Sequence, residues 1–311
     1  MTEQSTSEHG DGSVVAADPA LRRVLAKTAA AGGGDVLGLL AEGLSGTELT
    51  TLLLEVYRRR ALRLTPAEVL RRYRGDRFVR PSTVPTQALR AAEERLIAAL
   101  APSFSLLSLA PVTPLATHTS VATVDPRKVV ATVRGSEVAA DPTNALSLEA
   151  ADRRALLLAE DPRSAQPVSL AAVQRVLRAQ RFGPGMAPHF QLFAMVTAGR
   201  DTGGHAFETA ALTEHFRIGA AAVPGTRFLV TVLAEPFRRV FESVCAASPQ
   251  VEILEDPSRE SGRGYYTGLC FKVHLDGSEV GDGGFTDWTA RLLGNRKERE
   301  LISGFGVDRL A

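Results

Sequence analysis

Apolar residues at helical spacing predict one long helix near residue 90. From Thr86 to Ala101 they recur at helical intervals with arginines and glutamates between them. Two shorter helices are predicted before it, because each of two segments carries an N-cap residue with a carboxylate three positions on. The apolar residues of the long helix are Leu89, Leu96, Ile97 and Leu100, and the two capping segments are Ser45-x-x-Glu48 and Thr65-Pro66-x-Glu68.

Beyond this helix the apolar residues gather into short runs rich in Val, Leu and Thr, a pattern typical of strands. Helical composition returns at Leu146–Ala159 and Pro236–Ala247. Because strands and helices alternate in a mixed order with long antiparallel connections, we predict an α+β fold rather than a doubly wound parallel sheet. The predicted strands are Phe104–Pro111, Val121–Val124, Val129–Val133, Val173–Leu177, Phe190–Val196, Phe228–Leu233 and Gly268–Leu275, and the glycine-containing blocks Gly262–Gly268 and Ile302–Arg309 are strand-like.

The polarity of the chain predicts three regions. Residues 1–18 have the composition of a disordered tail, 19–82 form a helical region rich in arginine, and 83–311 form the main domain. Nine arginines lie between positions 58 and 80, with only Glu68 and Asp76 against them. Such a segment can attract phosphates or another acidic surface, and a solvated helix face explains the same pattern.

Composition restricts the class of protein. The chain has 311 residues, a net charge of +1 and no apolar run near the twenty or so residues of a membrane helix. Its start lacks the basic and apolar segments of a signal peptide, so we expect a cytoplasmic protein without a membrane anchor. Cys245 and Cys270 have no metal-type spacing and are expected to be buried reduced thiols.

The block that ends the chain suggests a nucleotide site. Gly304 and Gly306 alternate along a predicted strand and leave one face without side chains, so a flat ring can lie against the backbone and Arg309 can stack on it. A strand corner with a surface ion pair at Asp308-Arg309 is the structural alternative. The sequence contains no G-x-x-x-x-G-K-S/T loop, H-E-x-x-H pair or G-x-S-x-G elbow.

Taken in order, these blocks resemble the catalytic domain of class II aminoacyl-tRNA synthetases, most closely the histidyl-tRNA synthetase branch, over residues 86–311. The family's second motif, Phe-Arg-x-Glu followed by Arg-Glu-Phe, is similar to Leu177–Gln180 and Pro188–Phe190, and its third motif resembles Gly304–Arg309. The resemblance implies that Arg178 holds the α-phosphate of ATP while Phe190 and Arg309 cover adenine. It also implies an antiparallel sheet flanked by helices and a homodimer.

Three further segments resemble the substrate side of that family. The block 263–268 is similar to Arg-Gly-Leu-Asp-Tyr-Tyr-Thr but two residues shorter, which implies that Arg263 is a second catalytic phosphate arginine and that Tyr265 and Tyr266 hold an amino acid. The segment 146–153 resembles Leu-Arg-Pro-Glu-Gly-Thr-Ala and implies that Glu149 binds the ammonium group. Gly-Gly-Arg-Tyr-Asp is similar to 283–287 and implies that Asp287 binds substrate.

The resemblance departs from the family pattern on the substrate side, where Ser147, Phe285 and Thr286 replace family residues. His118, His189 and Trp288 are candidates to contact substrate, and a structural role is the alternative for each. No anticodon-binding domain follows Arg309, so we expect an acceptor other than a tRNA recognised in the usual way.

The resulting prediction is an enzyme that uses ATP and Mg²⁺ to activate an amino acid, or a related carboxylate, as an acyl-adenylate. A carrier protein, a small amine or an RNA held by segment 58–80 is the expected acceptor. Two alternatives stay open. One is a non-catalytic paralogue that senses a small molecule, like the regulatory subunit of ATP phosphoribosyltransferase, and the other is an RNA-binding module.

Overall fold

The computed structural model describes residues 18–183, 187–260, 262 and 264–311. The chain divides into two compact units, Met1–Thr65 and Pro66–Ala311. The sequence pattern placed this boundary later, after residue 82.

The first unit is helical. Its elements are α1 (Pro19–Ala30), the short α2 (Val36–Gly38) that runs into the π-helical turn Leu39–Gly43, and α3 (Gly46–Ala61). The predicted capping box is present at the start of α3, where the Ser45 hydroxyl accepts from the Glu48 N–H and the Glu48 carboxylate accepts from the Ser45 N–H. None of the described residues of this unit is buried.

The second unit is built on an eight-stranded sheet with strand order β1-β4-β5-β10-β9-β8-β6-β7. The central strands pair antiparallel, while β1 with β4 and β6 with β7 pair parallel. This α+β architecture confirms the predicted fold class. The sheet strands are β1 Phe104–Leu107, β4 Val168–Leu177, β5 His189–Arg200, β6 Arg227–Val232, β7 Glu252–Glu255, β8 Leu269–Leu275, β9 Ser278–Thr286 and β10 Glu298–Gly306, and β2 Val112–Pro114 pairs with β3 Ser136–Val138 in a separate ribbon.

Helices cover both faces of this sheet. One face buries a phenylalanine-rich core under α5 and α7, and the other packs against α6 and α9. Alternation along each strand produces this division, since successive side chains point to opposite faces. The helices of the unit are α4 Pro66–Gly75, α5 Thr86–Ala98, α6 Pro142–Glu160, α7 Ala206–Ala222, α8 Arg238–Ala247, α9 Trp288–Leu293 and α10 Val307–Leu310.

Three local expectations are corrected, and one helix was not predicted. Thr117–Val121 forms a π-helical turn and 129–133 is irregular apart from one isolated bridge at Ala131, so the strands expected at 121–124 and 129–133 are wrong. The described residues between 262 and 268 form turns rather than a strand. The pattern also missed α7 entirely, because this helix carries apolar residues around most of its circumference and lacks a clear polar face.

The described part of the chain contains no helix that is both long enough and apolar enough to span a membrane. Cys270 is buried and Cys245 is partly buried.

Candidate functional site

A cavity of about 750 Å³ opens in the second unit on the sheet face that packs against α6. Its floor includes Ala194 of β5 and Ile302, Gly304 and Gly306 of β10. The start of α6 forms part of its wall. The volume lies within the roughly 300–1,000 Å³ of small-molecule sites.

Arg178, directly after β4, is held in a fixed orientation at this cavity. Its Nε donates to the Ala140 carbonyl at 2.9 Å and one terminal nitrogen donates to the Asp141 carboxylate at 3.1 Å. The guanidinium lies over the Phe190 ring, with 5.1 Å from its carbon to the ring centroid. These contacts engage two of the five N–H donors of an arginine, so the side chain is oriented before a ligand arrives.

Gly304 and Gly306 form a shelf on β10. A methyl group added at Gly304 would meet nothing nearer than the Phe193 carbonyl oxygen at 3.8 Å, so the space above this residue is open. At Gly306 the side-chain carbons of Arg309 already approach to 3.2 Å of that position. Arg309 therefore lies over the bare backbone at Gly306.

Strand register brings Phe190 to the same face. Strands β5 and β10 pair Ala194 with Gly304 and Leu192 with Gly306. Because alternate residues of a strand share a face, Phe190 projects on the side where the two glycines leave space. The start of α10 is fastened to this strand, since the Asp308 carboxylate accepts from the Gln191 N–H at 2.6 Å.

A buried histidine supports the shelf from the opposite face of the sheet. His215 of α7 bonds to the Ser303 hydroxyl at 2.8 Å and to the Thr197 hydroxyl at 2.9 Å. Complete burial lowers the pKa of His215 to about 3, so the imidazole is neutral at physiological pH. This histidine holds β5 and β10 together and does not face the cavity.

Tyr265 and Tyr266 stand at the other end of the cavity. Their rings pack at 80° with centroids 4.9 Å apart, and Tyr265 also packs edge-on against Trp288 at 5.2 Å. Burial raises the pKa of both phenols well above the ordinary value, so both are protonated donors. The Tyr266 hydroxyl donates to the Asp282 carboxylate at 3.1 Å.

Asp282 of β9 is a carboxylate inside the cavity. About half of its side-chain surface (49%) is open, although protein surrounds the cavity it faces. This enclosure raises the pKa of Asp282, and the negative charge of Asp141 adds to the increase. Arg259 opposes it from 3.7 Å, and its guanidinium also lies over the Tyr266 ring.

The loop that leads into α6 provides the remaining wall. Asp141 is the N-cap, because its Oδ1 accepts from the Thr143 N–H at 3.0 Å and from the Thr143 hydroxyl at 2.7 Å. Asn144, in the first turn, is fully buried and bonds to His118. The positive end of the α6 dipole is therefore next to the cavity.

The structure brings eight of the sequence-predicted residues together in the cavity lining. Arg263 lies outside the described residues. His189 is not part of the lining and instead contacts Arg175 and the Arg80 carbonyl. The eight are His118, Arg178, Phe190, Tyr265, Tyr266, Gly304, Gly306 and Arg309.

Glu149 and Asp287 are not in the lining. Glu149 lies about two turns along α6 from the helix start that faces the cavity, and it pairs with Arg153 at 2.8 Å. Asp287 is 55% exposed and lies 3.6 Å from Arg291. The structure thus places both carboxylates outside the cavity in which the other predicted site residues meet.

Asp141, Asn144, Asp282 and Arg259 line the cavity but were not predicted. Asp141-Pro142 carries a usable signal, since an N-cap aspartate followed by proline marks a helix start. Asp282 carries none, because it lies in a glycine-rich strand whose facing side depends on its register with β8 and β10. Among the residues that the structure describes, no group of three or more His, Cys, Asp or Glu side chains is arranged to hold a metal ion.

Solved structures with a similar fold include histidyl-tRNA synthetases. An ATP phosphoribosyltransferase regulatory subunit/histidyl-tRNA synthetase from Bacillus halodurans matches with a TM-score of 0.58 and 11% identity, over 75% of this chain and 81% of that chain. A histidine–tRNA ligase subunit from Alicyclobacillus acidocaldarius gives 0.55 and 14%, over 74% and 94%. The apo histidyl-tRNA synthetase of S. aureus gives 0.54 and 12%, over 74% and 71%.

These matches establish the class II synthetase-like catalytic fold for about three quarters of the chain. No protein-family model matches the sequence. No curated protein matches it either.

Proposed function

We propose that the cavity binds ATP and activates the carboxylate of an amino acid as an acyl-adenylate. The observation that carries this proposal is the arrangement of Arg178 over Phe190, on the sheet face where Gly304 and Gly306 leave a shelf covered in part by Arg309. A planar base fits against a bare backbone and between a ring and a guanidinium. An oriented arginine fork suits the adjoining phosphate.

The reaction needs little covalent participation by the protein. A carboxylate oxygen attacks the α-phosphorus, a new P–O bond forms, and the bond to the β-phosphate breaks. Pyrophosphate leaves with the bonding electron pair, and no proton has to move. The catalytic tasks are to align the carboxylate with the α-phosphate and to neutralise charge in the transition state.

The side chains that line the cavity divide between these tasks. Arg178 is positioned for the α-phosphate, and Lys128 and Lys272 add positive charge to the same lining. Mg²⁺ would arrive with the triphosphate, since it retains water and commonly takes only one or two protein carboxylates. Two residues of the lining that carry carboxylates are close to Arg309. Asp308 precedes it in the chain, and the backbone carbonyl of Glu279 accepts a hydrogen bond from it.

We propose that the amino acid binds at the end of the cavity where Tyr265 and Tyr266 stand. Asp282 can accept hydrogen bonds from an ammonium group, while Tyr265 and Tyr266 provide ring walls and hydroxyl donors. These residues take over the task first assigned to Glu149 and Asp287, which lie outside the cavity. Arg263, outside the described residues, stays a proposed second phosphate arginine.

Amino-acid-dependent exchange of radiolabelled pyrophosphate into ATP tests the proposal. The purified protein is incubated with ATP, Mg²⁺ and each of the twenty amino acids, and we expect exchange above background with one amino acid or a small group of them. Arg175→Ala is the matched control for Arg178→Ala, because Arg175 is on β4, three positions before Arg178, but outside the cavity lining. Absence of exchange with every amino acid would contradict the proposal.

A regulatory protein that senses a small molecule is the second candidate. Arg178 is already paired with Asp141, which neutralises part of the charge that ATP would require. One structural neighbour is also named as an ATP phosphoribosyltransferase regulatory subunit. Calorimetry separates the candidates: a catalyst binds ATP–Mg²⁺, whereas a sensor binds an amino acid but not ATP–Mg²⁺.

The acceptor of the activated acyl group is proposed to be something other than a tRNA recognised in the usual way. Arg77 donates to the carbonyls of Ala179 and Gln180, so the arginine-rich segment contacts the loop that follows Arg178. An RNA or acidic carrier bound at Arg71, Arg72 and Arg77 would therefore lie near the cavity. If this contact exists, we expect the affinity for the acceptor to fall steeply as the salt concentration rises.

We also propose a homodimer in the cytoplasm. Strand β1 is an edge of the sheet, and Leu106 on it is 46% exposed. Edge strands and exposed apolar side chains are features that a partner chain can cover. Sedimentation velocity measures the mass of the assembly, and a monomer at micromolar concentration would contradict this proposal.

A further inference from the structure

Arg178 and Asp141 form an ion pair in the wall of the cavity. One terminal nitrogen of Arg178 lies 3.1 Å from Oδ2 of Asp141, and the two side chains are 31% and 26% exposed, so a ligand can reach both. A carboxylate at this distance offsets the positive charge that Arg178 offers to a phosphate. The proposed phosphate arginine is therefore partly neutralised by the protein itself.

The two oxygens of Asp141 have different partners. Oδ1 caps helix α6, where it accepts from the Thr143 N–H at 3.0 Å and from the Thr143 hydroxyl at 2.7 Å. Oδ2 accepts from Arg178 and is not needed for the cap. The cap thus fixes the carboxylate in place, while Oδ2 can exchange Arg178 for another cation without any change in the helix.

Asp141 also borders the substrate end of the cavity. Burial raises the pKa of the Tyr265 phenol, and the negative charges of Asp141 and Asp282 add to the increase. Burial likewise raises the pKa of Asp282, with a further contribution from Asp141. The two carboxylates therefore act on the same part of the cavity, where Asp282 is proposed to hold the ammonium group of the substrate.

The position of Asp141 between the two ends links the charges of the two ligands. A phosphate that binds Arg178 takes the counter-ion away from Asp141, so a cation beside this carboxylate becomes more favourable. An ammonium group beside Asp141 in turn leaves the charge of Arg178 to the phosphate. Each ligand improves the site for the other, and such coupling between two binding free energies is reciprocal.

We propose that Asp141 couples the two ends of the cavity, by pairing with Arg178 when no nucleotide is bound and with the ammonium group of the substrate when ATP is bound. This inference rests on the proposed function and adds cooperative binding of ATP and substrate to it. It also restricts the substrate class, because a carboxylate without an ammonium group would not release Arg178 from Asp141. Only hydrogen-bond partners are exchanged, and Asp141 takes no part in bond making.

Asp141→Asn removes the charge and keeps the cap. Asparagine caps helices about as well as aspartate, and its side-chain oxygen can still accept from Thr143. The NH₂ group in the place of Oδ2 cannot accept from Arg178. Asp18→Asn is the matched control, because Asp18 also caps a helix from the position before a proline, accepts from the N–H two residues on at 2.8 Å and is outside the cavity lining.

Calorimetry is carried out with α,β-methylene-ATP–Mg²⁺, an analogue in which a methylene group replaces the bridging oxygen whose bond would break. Without amino acids, we expect Asp141→Asn to bind the analogue about fivefold more tightly than the wild type, because Arg178 is no longer neutralised. A damaged site would bind the analogue more weakly, so a gain in affinity cannot come from a loss of structure. Asp18→Asn should bind like the wild type.

The coupling is measured by adding an equimolar mixture of the twenty amino acids. We expect the mixture to strengthen analogue binding about tenfold in the wild type and less than twofold in Asp141→Asn. The same mixture with its amino groups acetylated has no ammonium groups and should strengthen binding in neither protein. The comparison of the two mixtures uses the wild type alone, so it does not depend on how the variant folds.

The outcomes separate this inference from the proposed function. If Asp141→Asn binds the analogue no more tightly than the wild type, or if the amino-acid mixture does not strengthen binding in the wild type, the inference is overturned, and pyrophosphate exchange by the wild type would leave the proposed function standing. If both effects are found but no exchange occurs, the inference holds and the proposed reaction fails. If the wild type does not bind the analogue, the inference and the nucleotide site fail together.

Discussion

The two ends of the cavity differ in how their residues are positioned. At the proposed nucleotide end, Phe190, Gly304 and Gly306 belong to the paired strands β5 and β10, while Arg178 directly follows β4 and Arg309 is in α10, the short helix after β10. At the substrate end, Asn144 comes from a helix start, Tyr265 from a turn and Asp282 from a strand further along the sheet. The first group is fixed by local register, and the second by how distant segments pack.

This difference shows which kinds of site residue can be found from a motif. A short block of alternating glycines already determines which face of a strand is bare, so its chemistry depends on a few adjacent positions. The residue that faces a substrate from a helix start depends on where that helix begins. The sequence assigned the substrate to Glu149, which lies about two turns beyond the helix start that faces the cavity and pairs with Arg153 instead.

The largest expected effect tests the nucleotide end. Arg178→Ala removes the oriented guanidinium from the α-phosphate position and should lower the exchange rate about a thousandfold, which corresponds to about 4 kcal/mol of transition-state stabilisation. Pyrophosphate exchange at saturating ATP measures this change. The control Arg175→Ala should stay within twofold of the wild type, and an equal loss in both variants would break the assignment.

Filling the glycine shelf should have the next largest effect. Gly304→Val adds a branched side chain at a position where a Cβ meets nothing nearer than the Phe193 carbonyl oxygen at 3.8 Å, so the backbone has room for the Cβ and the side chain takes the space of adenine. We expect ATP affinity to fall about a hundredfold, with amino-acid affinity unchanged. Gly46→Val, at a position with no atom within 4 Å and outside the cavity, is the control for calorimetry.

Asp282→Asn tests the substrate end. The asparagine still accepts from the Tyr266 hydroxyl but loses the negative charge, so amino-acid affinity should fall about tenfold while ATP affinity stays the same. The pH dependence sharpens the test. Because the pKa of Asp282 is raised, its charge is lost as pH falls through that raised value, and amino-acid binding should weaken there in the wild type but not in the variant.

The smallest effect is expected at the two carboxylates outside the cavity. Glu149→Gln and Asp287→Asn should change neither the exchange rate nor the amino-acid affinity by more than twofold, since each carboxylate pairs with an arginine at the surface. The same exchange assay measures both variants. A tenfold loss of exchange rate or amino-acid affinity in either variant would again assign that carboxylate to the substrate. The contrast between the two ends of the cavity would then disappear.

Several features of the molecule followed from sequence alone. The capping box at Ser45, the helix that begins at Thr86 and the strand that carries Gly304 and Gly306 are all present as predicted. These features depend on interactions within a few residues, such as a cap, a helical repeat or an alternating face. The overall α+β class followed for the same reason, because it depends on the order of the elements.

Other features needed the three-dimensional structure. Helix α7 was missed because its apolar residues surround it, and the strands expected at 121–124 and 129–133 were wrong because apolar composition does not specify pairing partners. The contact between His118 and Asn144 joins residues 26 positions apart in the chain. Neither residue type indicates that partner.

By itself, the sequence located the proposed nucleotide shelf: bare glycines and a ring on strands, with one arginine directly after β4 and the other in the short helix after β10. Only the tertiary structure decided the substrate end, where a helix start, a turn and a glycine-rich strand meet around one cavity. The physical reason is the separation along the chain over which each interaction acts. Backbone geometry sets the face of a strand over a few residues, whereas the approach of Asn144, Tyr265 and Asp282 depends on packing between segments distant in the chain.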